Sequence, residues 1–497
     1  MRVVRVLCVM AVFAVAILEI SCGDTFRPIA IPQNPQPPDP KSLHFALVLT
    51  ANGPETCLPT NPPTLPPPPS TTPCDPSIHP GTSSRIDASG DSNVGTATVG
   101  LNPVHVVLLP TSDTAYVANL ADNTVTAYAS QTAGPSTTTI TLPPGTNPVF
   151  VETKEIGTVY VAGVGNGTTT GPTVSAIAIS QNVVTRTLSS ADGIGNNPIA
   201  MVETSNGKKL YVVNQGSDNV TAINTVDKSV NAVIPTGTSP IWAVARADDA
   251  RVYVLNQVSG TVSAIDTVND VVVGPGINVG AANYMAYDKS LNRLYLTVPA
   301  TSHLAVLDAS ADPPIALPDV DLSAACPPAI CQLDAVTTLP EGSNQDSKRG
   351  TIYVSSYTIS GTCTQLAGAP TDNPPCITTQ VSVIKPPNNS AQSTITTLHT
   401  VFVNSQSVGT KPDVPVVPFC DENSSAPAHA RFRRHIAAAA DGSRVFVANC
   451  DGGGTDIIRT SDDTFVLSLP APVSSAPALP GQSFPPPQNP VFVVPGR

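Results

Sequence analysis

The stretch TAYVANLADNTVTAY, from Thr114 to Tyr128, decides the fold of this chain. It contains an aromatic residue, a short apolar run, an Asn, a polar turn and a second apolar run. Short runs rich in Val, Tyr and Thr, separated by Asn and Asp, are typical of two β-strands joined by a tight turn. The stretch could be a unique site or one copy of a repeated scaffold element, and the rest of the sequence distinguishes these two hypotheses.

The stretch is repeated along the chain. Its first run, YVAN, recurs as YVAG, YVVN and YVLN and more weakly as YLTV, YVSS and FVAN, while the second run recurs as NVTAIN and TVSAID. The tyrosines of the first four copies are 42 to 51 residues apart, and an Asn-Pro or Ser-Pro step opens several units. A period of this length with four β-type runs per unit predicts the blades of a β-propeller. A blade buries its two faces only by stacking against its neighbours around an axis.

These runs resemble the YVTN-type β-propeller repeat family, because YVAN (116–119) and YVVN (211–214) approximate the run that names it. The resemblance covers most of residues 43–497. It implies a propeller located outside the cytoplasm, but it implies no particular activity, since the family has no single agreed one.

The repeats also predict how the ring closes. Seven full units can be counted, at residues 102–144, 147–190, 197–236, 239–279, 281–322, 333–404 and 433–470. Residues 44–52, 84–93 and 94–100 match the second, third and fourth runs of a unit, and NPVFVVPG (489–496) matches a first run. Together they predict one more blade, shared between the termini, which removes the open sheet edge. The expected fold class is all-β, with a propeller of eight four-stranded blades; seven blades remain the alternative.

The N-terminus resembles an export signal. Residues 1–21 contain Arg2 and Arg5 and an apolar segment too short to span a bilayer, so we expect a signal peptide. The following Cys22 resembles the lipidated cysteine of a bacterial lipoprotein, although Glu19 departs from that pattern and leaves an ordinary secretory signal as the alternative. Residues 22–41 read as a Pro-rich tether, and residues 42–497 as a single propeller domain. The expected location is extracytoplasmic, either anchored to a membrane or secreted.

Cysteine use agrees with export. Without Cys8 in the signal peptide and Cys22, an even number of cysteines remains, which indicates disulfides in an exported chain. Proximity along the chain favours four pairs: Cys57–Cys74, Cys326–Cys331, Cys363–Cys376 and Cys420–Cys450.

One face of the ring is expected to be specialised. If the strands of a blade are named a to d from the axis outward, the a–b and c–d turns lie on one face and the b–c and d–a connections on the other. Long insertions occur in the second set, at residues 53–83, 323–332, 357–379 and 405–432, and the paired cysteines lie in or beside these connections. Loops on a rigid scaffold commonly carry binding function; protection from proteolysis is the alternative explanation for the disulfides.

Residues with catalytic or metal-binding potential are sparse, and we expect no catalytic, cofactor or metal site. His44, His105 and His303 are interpreted as packing residues, and DASGDSN (87–93) as a c–d turn. The basic run RFRR (431–434) is expected to pair with acids such as Asp421, Glu422 or Asp441, with an anion site as the alternative. Glu152 and Glu203 are the acidic exceptions among the inner strands, near the a–b face.

The sequence thus predicts a binding or scaffold module. Its partner would be a protein, a peptide or a cell-envelope polymer, held by the disulfide-stapled loop face without turnover. A net charge of −12 and the lack of a long basic cluster disfavour nucleic acid, and the only membrane contact expected is the lipid anchor of a monomer. The alternatives are a propeller enzyme of lactonase or hydrolase type, with acids or histidines at the mouth of the axis, and a purely structural surface protein.

Overall fold

The computed structural model describes residues 44–52, 79–154, 157–340, 350–361, 375–385, 390–396, 399–403, 406–411, 413–416, 418–420, 432–472 and 488–496. The predicted signal peptide 1–21, Cys22, the tether 22–41 and most of the insertion 53–83 lie outside these residues. No helix among the described residues is long and apolar enough to cross a membrane.

The first half of the described chain is a succession of short strands. In chain order they are β1 (Phe45–Ala51), β2 (Pro80–Asp87), β3 (Ser92–Leu101), β4 (Pro103–Leu108), β5 (Thr114–Asn119), β6 (Thr124–Ala129), β7 (Thr137–Thr141), β8 (Pro148–Glu152), β9 (Thr158–Gly163), β10 (Thr173–Ala178), β11 (Val183–Ser189), β12 (Pro198–Glu203), β13 (Lys209–Asn214), β14 (Asn219–Asn224), β15 (Ser229–Pro235), β16 (Pro240–Ala245), β17 (Arg251–Asn256), β18 (Thr261–Asp266), β19 (Val271–Val272) and β20 (Ile277–Asn278).

The second half continues in the same way. Its strands are β21 (Tyr284–Asp288), β22 (Arg293–Val298), β23 (His303–Asp308), β24 (Ile315–Asp321), β25 (Cys331–Thr338), β26 (Ile352–Ser360), β27 (Cys376–Lys385), β28 (Ser390–Thr396), β29 (His399–Val403), β30 (Gln406–Lys411), β31 (Asp413–Pro415), β32 (Arg434–Ala438), β33 (Arg444–Asn449), β34 (Gly454–Arg459), β35 (Thr464–Pro470) and β36 (Asn489–Pro495). Helical structure among the described residues is limited to single 3₁₀ turns at Ser190–Asp192, Gln215–Ser217, Pro299–Thr301 and Pro418–Cys420.

These strands form eight antiparallel blades with four strands in series each; β20 adds to blade 5, β31 adds to blade 7, and β29 and β30 form a separate pair. Blade 1 is β36-β1-β2-β3 from the axis outward; blades 2 to 8 begin with the inner strands β4, β8, β12, β16, β21, β25 and β32. The eight inner strands contact one another in succession around the axis. The predicted all-β eight-bladed propeller is therefore confirmed.

The ring closes between the two ends of the chain. Strand β36 pairs antiparallel with β1, with Val48 opposite Val493 and Leu47 opposite Val494. Strand β36 also contacts the inner strands of its neighbours, β32 and β4. The predicted pairing of N- and C-terminal strands is confirmed, and it covers the edge of β1 that would otherwise be unpaired.

Blade 7 differs from the sequence-based expectation. The predicted loop insertion 357–379 is strand at both ends, because β26 runs to Ser360 and β27 begins at Cys376. The predicted insertion 405–432 also contains strands: β30 pairs with β29, and β31 pairs with the start of β27. The physical reason is that the extended β26–β27 hairpin presents unpaired backbone groups, which a following segment can satisfy by adding a strand.

The tyrosine of the repeated motif joins neighbouring blades. Tyr116, Tyr211 and Tyr353 are buried, and each hydroxyl donates to an Asn or Asp in the c–d turn of the next blade. The acceptors are Asn182 at 2.7 Å, Asp270 at 2.6 Å and Asp463 at 2.7 Å. All three acceptors have positive φ, a conformation that Asn and Asp tolerate better than most residues. Between blades 8 and 1, where Phe446 replaces the tyrosine, the ion pair of Arg444 with Asp91 joins the blades.

This geometry predicts the effect of removing single hydroxyl groups. The substitution Tyr211→Phe should lower the free energy of unfolding by about 1.5–3 kcal/mol, because its acceptor is the carboxylate of the buried Asp270. The matched substitution Tyr116→Phe should cost only about 0.5–1.5 kcal/mol, because Asn182 is a neutral acceptor. Urea unfolding of both variants would measure the difference, and equal losses would contradict the assignment of a charge-assisted bond at Tyr211.

The asparagine of the motif stabilises the b–c turn by side-chain hydrogen bonds. Asn119, Asn214 and Asn256 are fully buried. Asn119 Nδ2 donates to Thr124 Oγ1 at 3.0 Å and Thr126 Oγ1 at 2.9 Å, and the amides of the other two bond to the equivalent positions of their own c strands. These side chains are therefore occupied within the fold, and the repeated stretch is scaffold.

Candidate functional site

Aromatic side chains from the inner strands, and Phe432 just before β32, fill the middle of the propeller axis. Six blades contribute to this group, which we call the axial plug: His105, Phe150, Trp242, Tyr284, Phe432, His435 and Phe492. Each ring contacts at least one other, with centroid distances from 3.8 to 6.5 Å. At this level the propeller axis is therefore a packed core.

The two histidines of the plug occupy similar positions. His105 stacks on Phe150 at 3.8 Å, and His435 stacks on Phe492 at 3.9 Å. In each case Nδ1 accepts the backbone N–H of the residue after the stacked phenylalanine, Val151 or Val493. Burial lowers the pKa of His105 and of His435 to about 3, so both rings are uncharged at neutral pH. The interpretation of His105 as a packing residue agrees with this geometry.

A cavity of about 830 Å³ opens beside the plug on the face of the a–b turns. We call it the axial cavity. The rings of Tyr284, His435 and Phe492 form its floor, and its walls come from the ends of the inner strands of blades 6, 7, 8 and 1. Because it involves only one side of the ring, it departs from the symmetry of the repeats. A volume of this size falls within the range of small-molecule sites.

The wall of the axial cavity combines aliphatic side chains with polar ones such as Ser290, Thr337 and Thr338. Val336, Ile436 and Ala437 are typical of the wall, and the exposed Lys289 lies among the lining residues. The Tyr284 hydroxyl has no hydrogen-bond partner among the described residues, and burial raises its pKa. The neighbouring Asp288 is buried and caps the a–b turn, where Oδ1 accepts the N–H groups of Ser290 and Leu291.

The opposite end of the axis carries a buried ionic cluster. Arg433 Nη1 lies 2.5 Å from Asp451 Oδ1, and Arg434 Nη1 lies 2.7 Å from Asp451 Oδ2. Arg434 Nε donates to Thr379, its backbone N–H donates to Asp334, and both guanidinium groups lie over the ring of Tyr357. RFRR was predicted to pair with acids such as Asp421, Glu422 or Asp441, and the acid that Arg433 and Arg434 bind among the described residues is Asp451. Asp441 instead accepts from Ser443, while Asp421, Glu422 and Arg431 lie outside the described residues.

Asp334 makes this cluster sensitive to pH. Burial raises the pKa of its carboxyl group to about 6, although the N–H of Arg434 and the nearby arginines act in the opposite direction. A carboxyl group with a raised folded-state pKa binds its proton more tightly in the folded protein. The stability that it contributes is therefore fully present below the ordinary carboxyl pKa and is lost as the pH rises through about 6.

We expect Asp334→Asn to remove this part of the pH dependence, since an amide oxygen can still accept from Arg434 and carries no charge. The variant should gain stability relative to the parent protein between about pH 4 and pH 6, by up to about 1.4 kcal/mol per pH unit. Thermal unfolding of both proteins across this range is the measurement. A stability difference that does not change with pH would contradict the raised pKa.

Disulfides lie on the loop-rich face. Cys326 pairs with Cys331 in the d–a connection before blade 7, and Cys420 pairs with Cys450 beside the ionic cluster. These are two of the four pairs predicted by proximity. Cys376 is also disulfide-bonded, whereas Cys363, Cys57 and Cys74 lie outside the described residues.

Exposed isoleucines accompany one of these disulfides. Ile330, next to Cys331, is 55% exposed, and Ile359, near the end of β26, is 39% exposed. Their backbones are joined by the bond from Ile359 N–H to Ile330 O, at 3.4 Å. The stapled turn and the extended β26–β27 hairpin therefore present two adjacent apolar side chains on the loop-rich face.

Glu152, Glu203 and Asp87 have structural partners. Glu152 and Glu203 are buried at the ends of neighbouring inner strands; the carboxylate of Glu203 accepts the N–H of Lys154 at 2.6 Å, and Glu152 lies 3.5 Å from the ammonium of Lys154. Burial raises the pKa of Glu152. Asp87 caps the c–d turn, as DASGDSN suggested. Within the described ranges there is no group of three His, Cys, Asp or Glu residues placed to hold a metal.

Sequence reasoning missed the axial plug and the axial cavity. The signal was present, because PVHVV, PVFVE, PIWAV and PVFVV place an aromatic or histidine ring at the same point of several inner strands. Each strand alone reads as an ordinary apolar run, and only alignment of the inner strands around one axis reveals that their rings meet.

The fold defines the chain as an eight-bladed β-propeller. No protein-family model matches it, and no curated protein matches its sequence. Among solved structures, apo AztD from Citrobacter koseri is similar with a TM-score of 0.53 at 10% identity, covering 92% of this chain and 99% of that chain. Dihydro-heme d1 dehydrogenase NirN in complex with DHE has a TM-score of 0.49 at 8% identity over 90% of this chain and 74% of that one. A 6-phosphogluconolactonase candidate from Bacteroides uniformis has a TM-score of 0.45 at 10% identity, with 91% and 99% coverage. At these identities the similarity to AztD shows the fold alone.

Proposed function

We propose that this chain is an exported propeller of the YVTN type, anchored by a lipid at Cys22, which acts as a binding or scaffold module. Its partner is a protein, a peptide or a polymer of the cell envelope, held on the loop-rich face. The partner is bound because its surface is complementary to that of the rigid ring, and no reaction is catalysed.

The main support for this proposal is a disulfide-bonded projection of blade 7. The extended β26–β27 hairpin and the Cys326–Cys331 turn place Ile330 and Ile359 side by side in solvent. Exposed apolar groups on a rigid support bind a partner at low cost, because little conformational entropy is lost on association. The b–c connections of blades 2, 4, 5, 6 and 8 are short turns, whereas those of blades 1, 3 and 7 are longer, so the loop-rich face is irregular.

The axial plug supports a binding role over the enzymatic alternative. A lactonase or hydrolase of propeller type would use acids or histidines at the mouth of the axis. Here the two axial histidines are stacked, uncharged and bonded to backbone N–H groups, and the carboxylates of Glu152 and Glu203 are engaged with Lys154 and the neighbouring backbone. These side chains hold blades together.

Export is supported by the disulfides and by the N-terminal sequence. Disulfides such as Cys326–Cys331 and Cys420–Cys450 persist in oxidising compartments outside the cytoplasm. The basic and apolar segment before Cys22 supplies the expected signal.

Site-specific photo-crosslinking tests the binding face. A photoreactive residue placed at Ile359 should form adducts with envelope components in the cells that produce the protein. The matched control is Val268, 80% exposed in a c–d turn on the opposite face, which should form few. Equal crosslinking from both positions, or adducts from Val268 alone, would overturn the proposed face.

Fatty-acid labelling tests the anchor. The full chain should incorporate a labelled fatty acid, and Cys22→Ala should abolish incorporation. Cys8→Ala should leave the label unchanged, because Cys8 lies within the predicted signal peptide. Labelling that persists in Cys22→Ala would show that the lipid is not attached there.

A further inference from the structure

We infer that the axial cavity is a second binding site, on the face opposite the loop-rich one, for a small aromatic molecule that carries an anionic group. This goes beyond the proposed function, because it involves different residues, the other end of the axis and a different class of ligand. The ligand would lie flat against the rings of the floor, with its anionic end toward the mouth.

The floor supplies the preference for an aromatic body. Tyr284 and His435 meet edge to face at 5.8 Å, and His435 is stacked on Phe492 at 3.9 Å. All three line the cavity. Rings that are already held in place by packing can accept a further ring at low entropic cost, with offset or edge-to-face geometry.

Polar groups without hydrogen-bond partners in the floor favour a ligand that carries a hydrogen-bond acceptor. The Tyr284 hydroxyl has no hydrogen bond to other described residues, and the half-buried Tyr284 lines the cavity. His435 is 3% exposed; because its Nδ1 accepts from Val493, the proton of the neutral ring is on Nε2, which has no partner among the described residues. Buried donors without partners are rare in proteins. His435 Nε2 has almost no accessible surface, so a ligand acceptor reaches it only if the floor shifts, whereas the half-buried Tyr284 lines the cavity directly.

A positive charge at the mouth of the cavity favours a ligand that carries an anionic group. Lys289 is an exposed cation among the lining residues, in a chain whose net charge is −12. The one carboxylate among the lining residues, Asp288, is buried; its Oδ1 accepts two backbone N–H groups of its own turn, and its Oδ2 has no partner among the described residues. A ligand anion near Lys289 would therefore form a surface ion pair, which is weak but sufficient to orient the molecule.

Two dyes of nearly the same shape test this inference. The probe is 8-anilinonaphthalene-1-sulfonate, and its neutral counterpart is N-phenyl-1-naphthylamine, which lacks the sulfonate. Trp242 is the single tryptophan of the chain and its ring lies 5.1 Å from that of Tyr284. Energy transfer from Trp242 to the dye therefore reports dye bound to the propeller, and the variants below assign it to this cavity. We expect saturable transfer for both dyes, and tighter binding of the sulfonate at low salt.

Matched variants distinguish this cavity from general dye adsorption. Ala440→Phe fills the mouth in the a–b turn of blade 8 and should weaken dye binding by about tenfold or more, since it removes most of the apolar contact. Ser205→Phe places the same ring at the same turn position of blade 4, across the ring, and should leave affinity within about twofold. Equal losses, or no loss in Ala440→Phe, would overturn the inference.

A surface substitution keeps the test valid if Ala440→Phe fails to fold. Lys289→Glu alters an exposed side chain and should weaken the sulfonate dye by about threefold or more while leaving the neutral dye unchanged. An unchanged ratio of the two affinities would contradict the assignment of Lys289 to the anionic end of the ligand.

Discussion

Removal of the last strand should prevent stable folding of the whole ring. A chain that ends at Gln488 lacks β36 and with it the inner strand of blade 1. Val491, Phe492 and Val493 are each at most 4% exposed, and burial of each side chain contributes about 1.5–3 kcal/mol. The expected loss exceeds about 5 kcal/mol, which is comparable to the net stability of an ordinary domain. Loss of the cooperative thermal transition would be the measured result.

Two controls make this prediction specific. Removal of Arg497 alone should leave the melting temperature nearly unchanged, because β36 remains complete. Addition of a synthetic peptide of residues 488–497 to the truncated chain should restore a cooperative transition, since the strand is held by pairing with β1 and by no covalent link there. A truncated chain that melts like the parent protein would show that the closing strand is dispensable.

Loss of the Asp451 carboxylate should be the most damaging single substitution in the ionic cluster. Arg433 and Arg434 are 5% and 0% exposed, and Asp451 bonds to both. In Asp451→Ala two buried cations lose this counter-ion, and removal of one partner from a buried ion pair costs about 3–5 kcal/mol. Denaturant unfolding should show a loss of this size.

A surface pair from the same blade is the matched control for Asp451→Ala. Asp462 lies 3.2 Å from Arg459, and both side chains are nearly half exposed. Asp462→Ala should therefore cost less than about 1 kcal/mol. If the two substitutions reduced the free energy of unfolding equally, the cluster around Asp451 would not be a buried ionic core.

The blades and their order could be predicted from the sequence because the interactions that form them are local. A strand, a tight turn and a second strand are encoded within about 15 residues, and the copies from Tyr116 to Phe446 repeat that code. The shared blade was also predictable, since NPVFVVPG matches the first run of a unit and residues 44–52 match a second run.

The partners of single polar residues could not be predicted in this way. Arg433 and Arg434 were expected to pair with acids such as Asp441, whereas their partner among the described residues is Asp451, in the b–c turn of the same blade. Proximity along the chain favoured other carboxylates, whereas the partner is set by where β33 ends in space. The strands within the 405–432 insertion escaped prediction for a related reason, because their pairing depends on an exposed edge of β27.

By itself the sequence determined the repeat, the strand order within each blade, the eightfold closure and the two described disulfide pairs, because each depends on spacing along the chain. Only the tertiary structure decided what occupies the axis. Rings separated by up to 387 residues, from His105 to Phe492, meet there because eight inner strands converge on one line. The cavity beside them, with Tyr284 and His435 in its floor, exists only where blades 6, 7, 8 and 1 leave space. Such a space is a property of packing between distant segments, and no single segment of the sequence encodes it.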